Sequence, residues 1–384
     1  MLLCIEIIIL AYLIYSWIVY RYIRYLNRKY LTAIDRTAII THGSRLQSYA
    51  DVIEKYRQKD IINILVLTGG GLRGVVPLQT LNYIEQQSHK RIGEIFDLVA
   101  GASTGAITAA ALVVPNSHGN GYKNSVGDIA KMYLENSKKM FSSPLYHQLL
   151  TFYGLFGPRY LPEGKLEVLK SYFGDLKLSD ISNNLIIPVY DIASNSLELI
   201  RNWTTTNTHE QFNNYLLCDL IHGASNPPIF FSPRKFVVNG QEKIFIDPAM
   251  IMNNPAMLAL MSARFIVGNQ KKIRLVLIGN GGNNSEHFNH NSMAAFGVYG
   301  LIQYVLNSPN LSSSFVEGII NNYVTDANNF DQNMEFININ LNGNSKLHTT
   351  DPSIKNMNNL MKFGEEMFNA NRIKIDKLIN DLKS

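Results

Sequence analysis

The pentapeptide Gly101-Ala102-Ser103-Thr104-Gly105 constrains this chain more than any other stretch. It fits G-x-S-x-G and sits between an apolar run that reads as a strand, Ile95 to Ala100, and an alanine-rich run that reads as a helix, Ala106 to Val113. A serine on so sharp a strand-to-helix turn needs an unusual backbone angle and neighbours without bulk, which Gly101 and Gly105 supply. Its hydroxyl then projects at a helix N-terminus, where the dipole favours developing negative charge. That is the context of a nucleophile elbow; the alternative is an ordinary tight turn.

A second glycine loop precedes it. Residues 61–67 form a short, mostly apolar run that suits a buried strand. Thr68-Gly69-Gly70-Gly71-Leu72-Arg73-Gly74 follows, and then Val76, Leu78, Leu81 and Ile84 at helical spacing. The loop matches the G-x-G-x-x-G dinucleotide fingerprint, but that reading wants an acid ending the second strand. Gly101-Ala102-Ser103 stands there instead, and Asp97 lies before it. The other reading is an oxyanion hole made by the backbone amides of Gly70, Gly71 and Leu72, with Arg73 adding positive charge nearby. Both loops follow consecutive strands, so both should emerge at the carboxyl edge of one sheet.

A serine nucleophile needs a base. His287 and His290 have the chain order of a Ser–acid–His triad, but they sit in asparagine-rich polar sequence that reads as exposed loop. The better candidate is Asp247, which ends the apolar run Ile244-Phe245-Ile246 and opens Asp247-Pro248-Ala249-Met250-Ile251-Met252-Asn253-Asn254-Pro255. Its alternative is a plain turn aspartate before proline. Further strands read at Asn184–Asp191, Leu197–Asn202, Lys243–Asp247 and Ile273–Ile278, with helices at Gly164–Phe173 and Pro255–Phe265. Residues after Leu301 read as mostly helical, ending in one helix from Asp351 to Leu382. Strands alternating with helices predict an α/β fold around a largely parallel sheet.

Composition narrows the function classes. Of the 384 residues, 46% are hydrophobic, enough for a sizeable core. A net charge of +5 with no basic stripe argues against a nucleic-acid binder and fits loose attraction to an anionic membrane surface. Two cysteines, Cys4 and Cys218, make neither a disulfide framework nor a zinc site, and no calcium loop is present, so no metal or cofactor is expected.

The N-terminus differs from the rest. Met1 to Tyr20 is apolar apart from Glu6, and Arg21, Arg24, Arg28 and Lys29 follow at once. A cleaved signal peptide has the reverse order. Twenty helical residues reach roughly 30 Å, about one hydrocarbon thickness. Residues 1–30 are therefore expected to be a membrane anchor, spanning or interfacial, with Tyr12, Tyr15, Trp17, Tyr20 and Tyr22 at the interface and the rest of the chain cytosolic. Residues 31–60 read as a polar connector with one helical stretch, Leu46 to Gln58, and residues 61–384 as the folded domain.

Taken together, Thr68 to Gly74, Gly101 to Gly105 and Asp247 with Asn253-Asn254-Pro255 resemble the patatin-like phospholipases. Weaker blocks agree: Gly157 to Gly164, Phe173 to Asp180, Ala224 to Phe231, and Asn358 to Gly364 in the final helix. The resemblance covers roughly residues 62–380. It implies a three-layer α/β sandwich and a metal-free Ser–Asp dyad that hydrolyses acyl esters of phospholipids, lysophospholipids or galactolipids. By matching positions, Ser103 is the nucleophile, Asp247 the base, and the glycine loop the oxyanion hole. Two positions depart from the family pattern. Thr68 stands where an acidic residue is usual, and Pro248 stands where a glycine is usual. Because proline lacks an amide and fixes its φ, an inactive, membrane-tethered lipid-binding relative is the alternative. Apolar stretches around 145–156 and 296–306 are candidates for lining an acyl channel, touching the bilayer, or simple core.

Overall fold

The computed structural model describes residues 2–35, 49–116, 121–203, 212–282, 313–322, 333–341 and 347–383. His287, His290 and residues 296–306 lie outside these. Among the described residues nine strands build one sheet. They are β1 (Ile34–Asp35), β2 (Ile61–Leu67), β3 (Leu98–Gly101), β4 (Asn184–Asp191), β5 (Ser196–Arg201), β6 (Arg234–Val238), β7 (Gln241–Ile246), β8 (Lys272–Ile278) and β9 (Met334–Ile339). Across the sheet the order is β1-β6-β7-β4-β3-β2-β8-β9, with β5 on β4. The centre, from β9 through β8, β2 and β3 to β4, is entirely parallel. The flank of β4 with β5 and β7, and β7 with β6, is antiparallel.

The parallel centre is buried on both faces, as its strands require. Side chains of β2 alternate: Leu65 and Leu67 join one hydrophobic cluster, while Ile62, Ile64 and Val66 join another on the opposite face. The helices, numbered in chain order, cover both. The first cluster is closed by α3 (Val76–Ser88), α5 (Thr104–Leu112), α6 (Val126–Met140), α8 (Pro162–Phe173), α9 (Leu217–Ala224) and the last two, α12 (Ile354–Ala370) and α13 (Arg372–Lys383). The second is closed by α2 (Tyr49–Arg57) and α11 (Ala256–Val267). Helix on sheet on helix is the expected three-layer sandwich. Further helices are α1 (Leu2–Tyr30), α4 (Ile92–Ile95), α7 (Leu145–Thr151) and α10 (Ala249–Met252), and residues 313–322 are also helical, with Ile320 in the second cluster.

Four expectations need correction. Residues 31–60 are more than a connector. The short strand β1 extends the sheet at β6, and α2 buries Val52 and Tyr56 against the second cluster, worth roughly 1.5–3 kcal/mol for each fully buried side chain. The tail is not all helical, because β9 pairs with β8 along its whole length. The final helix breaks at Asn371, whose amide side chain donates to the carbonyls of Asn340 and Met367. The strand expected from Ile95 starts at Leu98, since Ile95 ends α4.

Helix α1 is buried against the body over its last turns and touches α7 earlier through the Tyr15 and Tyr22 hydroxyls. Leu26 and Tyr30 are buried, and Glu163 of α8 accepts from both Lys29 and Tyr30. Residues from Ile7 to Tyr20 stay largely exposed although they are apolar.

Candidate active site

The carboxyl ends of β2 and β3 lie side by side, with Leu67 opposite Gly101. Ser103 follows two residues later as the N-cap of α5 and adopts φ 54, ψ −122, a left-handed conformation that costs a non-glycine residue energy. The surroundings hold it there. Its carbonyl accepts from Ala106 and Ile107 at 3.0 and 3.3 Å, and Ala102 donates to Leu67 at 3.3 Å. Both glycines are demanded by close approach. A Cβ at Gly101 would overlap the Gly105 carbonyl, and one at Gly105 would overlap the Leu67 carbonyl on the neighbouring strand.

The first glycine loop abuts this elbow. A Cβ at Gly69 would overlap the Ser103 side chain and that of Asn253. Gly69 is pinned by its amide to the Asn253 carbonyl at 3.1 Å, and its carbonyl accepts from the side chains of Asn253 and Asn280. Gly71 takes φ 57 and opens the 3-10 turn Gly71–Val75 that leads into α3. The expected trio of amides separates here. Leu72 donates to the Thr349 carbonyl at 2.8 Å, whereas among the described residues no backbone carbonyl takes the Gly70 or Gly71 amide. Arg73 is buried, donating to the carbonyls of Gly281 and Leu347, and burial lowers its pKa to about 10.

Asp247 comes from the antiparallel flank, one residue beyond β7, and reaches the same cavity as Ser103. Its amide donates to the Asn226 carbonyl at 3.0 Å, and its Oδ1 accepts from the Ala249 amide at 2.9 Å. Pro248 takes φ −79, ψ 5, so nothing at this position requires a glycine's positive φ. Burial pushes the Asp247 carboxyl up to about 6, against the pull of the Ser103 hydroxyl, the Ala249 amide and the Lys165 ammonium. Ser103 is thus close enough to act on the carboxylate, yet Oδ2 has no partner of full hydrogen-bond geometry.

Behind Asp247 lies a buried polar cluster. Lys165 of α8 donates to the Ser225 carbonyl at 2.5 Å and to Asn226 Oδ1, and its ammonium sits 3.8 Å from the Phe231 ring centre. Burial pulls its pKa down to about 7, with Asp247 opposing. His222 contacts Asn226, and burial, then Lys165 and Arg234, hold it well below the usual imidazole value. Sequence reasoning passed over Lys165. The signal was there: it occupies an apolar position on the buried stripe Lys165, Val168, Leu169, Phe173 of α8.

Ser103, Asp247 and the glycine loop line a cavity of about 330 Å³ with Ile107, Met140, Phe141, Phe230, Phe231 and Met250. Its walls are apolar and its floor carries the polar groups, a form suited to an acyl chain bearing one reactive carbonyl. Among the described residues no group of three or more His, Cys, Asp or Glu side chains is arranged to hold a metal ion.

The sequence model of one family, described as patatin-like phospholipase, matches residues 65–260, a span that contains both glycine loops and Asp247. Patatin-like protein 2 of Oryza sativa subsp. indica is 26% identical over 352 residues, covering 82% of this chain and 86% of that protein. Patatin-2-Kuras 3 of Solanum tuberosum is 23% identical over 334 residues, covering 80% and 84%. Patatin-like protein 2 of Arabidopsis thaliana is 29% identical over 215 residues, covering 52% of each chain.

Proposed function

The chain belongs to the patatin-like phospholipase family, and on that premise we propose that it hydrolyses fatty-acyl esters of membrane phospholipids or lysophospholipids through a Ser103–Asp247 dyad. The observation that carries this reading is the meeting, in one largely apolar cavity, of a serine held at positive φ and a buried carboxylate with an unpartnered oxygen. In the proposed first step Asp247 Oδ2 takes the Ser103 proton while Oγ bonds to the ester carbonyl carbon. The carbonyl electrons move onto oxygen, which the Gly70 and Gly71 amides and the N-terminus of α5 stabilise. Collapse expels the lysolipid or alcohol, which takes the proton back from Asp247. Water, deprotonated by Asp247, then attacks the acyl-serine, and collapse releases the fatty acid as the departing Ser103 Oγ takes that proton back from Asp247. A carboxyl near pH 6 suits this exchange better than an ordinary one near 4, because the proton must be both taken and returned close to neutrality.

The N-terminal helix completes the reading as a membrane anchor, with the catalytic body on the cytosolic side by the positive-inside rule. Within α1, Glu6–Tyr30 is long and apolar enough to cross a bilayer, and 6% of its apolar window is buried, unlike a core helix. The attachment of Lys29 and Tyr30 to Glu163 supports a retained segment over a discarded leader.

Two measurements on the full chain test the proposal. A fluorophosphonate should label the protein, and the label should vanish in Ser103→Ala. Fatty-acid release from mixed lipid vesicles should vanish with it. An unlabelled wild type that binds vesicles without releasing fatty acid would instead establish an inactive lipid-binding relative.

A further inference from the structure

Between α6 and α8 the chain makes an excursion whose apolar residues face outward. Leu145, Tyr146, Leu149, Phe152, Tyr153 and Phe156 are between 51% and 67% exposed. Hydrogen bonds fix where this excursion stands relative to α1. The Tyr15 hydroxyl donates to the Leu149 carbonyl at 2.7 Å, and the Tyr22 hydroxyl meets His147 Nδ1 at 2.8 Å. Leu149 is therefore level with the apolar stretch of α1, and His147 is level with Arg21 and Arg24, where that stretch ends.

The turn after α7 is also equipped to leave water. Phe152 and Tyr153 both take left-handed backbone angles, φ 50 and 56, and Gly154 follows at φ 100. Bulky aromatics rarely accept this. The turn nevertheless satisfies its own backbone: Tyr153, Gly154, Leu155 and Phe156 donate to the carbonyls of Gln148, Thr151, Phe152 and Thr151. Backbone groups paired within the segment are what a hydrocarbon environment demands. Three residues beyond Phe156, the exposed Arg159 lines both the Ser103 cavity and the groove that adjoins it. Its charge, with Arg21, Arg24, Arg28 and Lys29, suits the phosphate level of an anionic leaflet.

We propose that Leu145–Phe156 is a second membrane-inserting element, seated in the same leaflet face as α1, and that it sets the mouth of the Ser103 cavity against the lipid headgroups. The occupant of this apolar face is the bilayer. Lipid then passes from the leaflet past Arg159 to Ser103 without crossing water. This rests on the anchor and lipase readings above, and deepens them by naming the route of the substrate.

The test uses full-length protein in phosphatidylcholine–phosphatidylglycerol vesicles. In a Trp17→Phe background the remaining native tryptophan, Trp203, is buried. Adding Phe152→Trp or Phe156→Trp places a reporter on the turn. Brominated lipids should quench that reporter strongly and leave Trp203 bright; a reporter no more quenched than Trp203 overturns the proposal. In the second arm, Leu149→Glu with Phe152→Glu should lower hydrolysis of vesicle lipid by about tenfold or more while a soluble short-chain ester is turned over within about twofold of wild type. Equal loss on both substrates, or loss on neither, overturns it. A wild type that cleaves neither substrate counts against the lipase reading alone, because the quenching arm still decides insertion.

Discussion

At the ends of β2 and β3 one added methyl group would drive into a neighbouring carbonyl, whereas along α7 and its turn most apolar side chains stand more than half exposed. Around Ser103 identity is set by geometry: Gly101, Gly105 and Gly69 each sit where a Cβ has no room. On the outward face only the class of residue matters, because the expected neighbour is fluid lipid. The first region should fail on small changes and the second only on a change of polarity.

The largest effect is expected at the reacting groups. Ser103→Ala and Asp247→Asn should each lower kcat on a soluble ester by at least about 10³-fold, with circular dichroism unchanged. Retained turnover in either would remove that residue from the dyad. Next is Gly105→Ala, whose methyl meets the Leu67 carbonyl. It should lower stability by roughly 2–4 kcal/mol in urea unfolding, and a neutral result would break the geometric side of the comparison. The third concerns pH. Because the base must be ionised and its carboxyl sits at about 6, kcat/KM should rise with pH through that value. A profile already flat at pH 4.5 would mean the base is an ordinary exposed carboxylate. A smaller change is expected from Lys165→Met, since the ammonium helps hold Asp247 ionised. The acidic limb should move to higher pH; an unmoved limb would leave Lys165 only a structural role. The smallest is Phe152→Leu, which should leave vesicle binding and hydrolysis within about twofold, as one apolar group replaces another. A large loss would show that the face reads shape after all.

This contrast also explains what was legible beforehand. β2 and β4 were read residue for residue because buried parallel strands are apolar runs bounded by glycine or polar residues. β9, Met-Glu-Phe-Ile-Asn-Ile, is hard to read because this end strand is interrupted by Glu335 and Asn338 and lies in asparagine-rich sequence. Gly101, Ser103 and Gly105 could be read because their constraints act within five residues and against the preceding strand. The pairing of the Leu72 amide is not legible locally, because the carbonyl that takes it belongs to Thr349, far along the chain. Lys165 escaped for the same reason, since Asp247 and Asn226 give it meaning only once the sheet has brought them together.

The grip of Glu163 on Lys29 and Tyr30 has a kinetic consequence. An enzyme on a flexible leash explores a hemisphere and meets its substrate at an effective concentration set by leash length. Here helix and body are joined through packed side chains, so under the proposed anchoring the body is held at one fixed depth against the lipid surface. Such an enzyme searches in two dimensions. Its rate should follow the mole fraction of substrate within the membrane, and adding more membrane of the same composition should leave that rate unchanged.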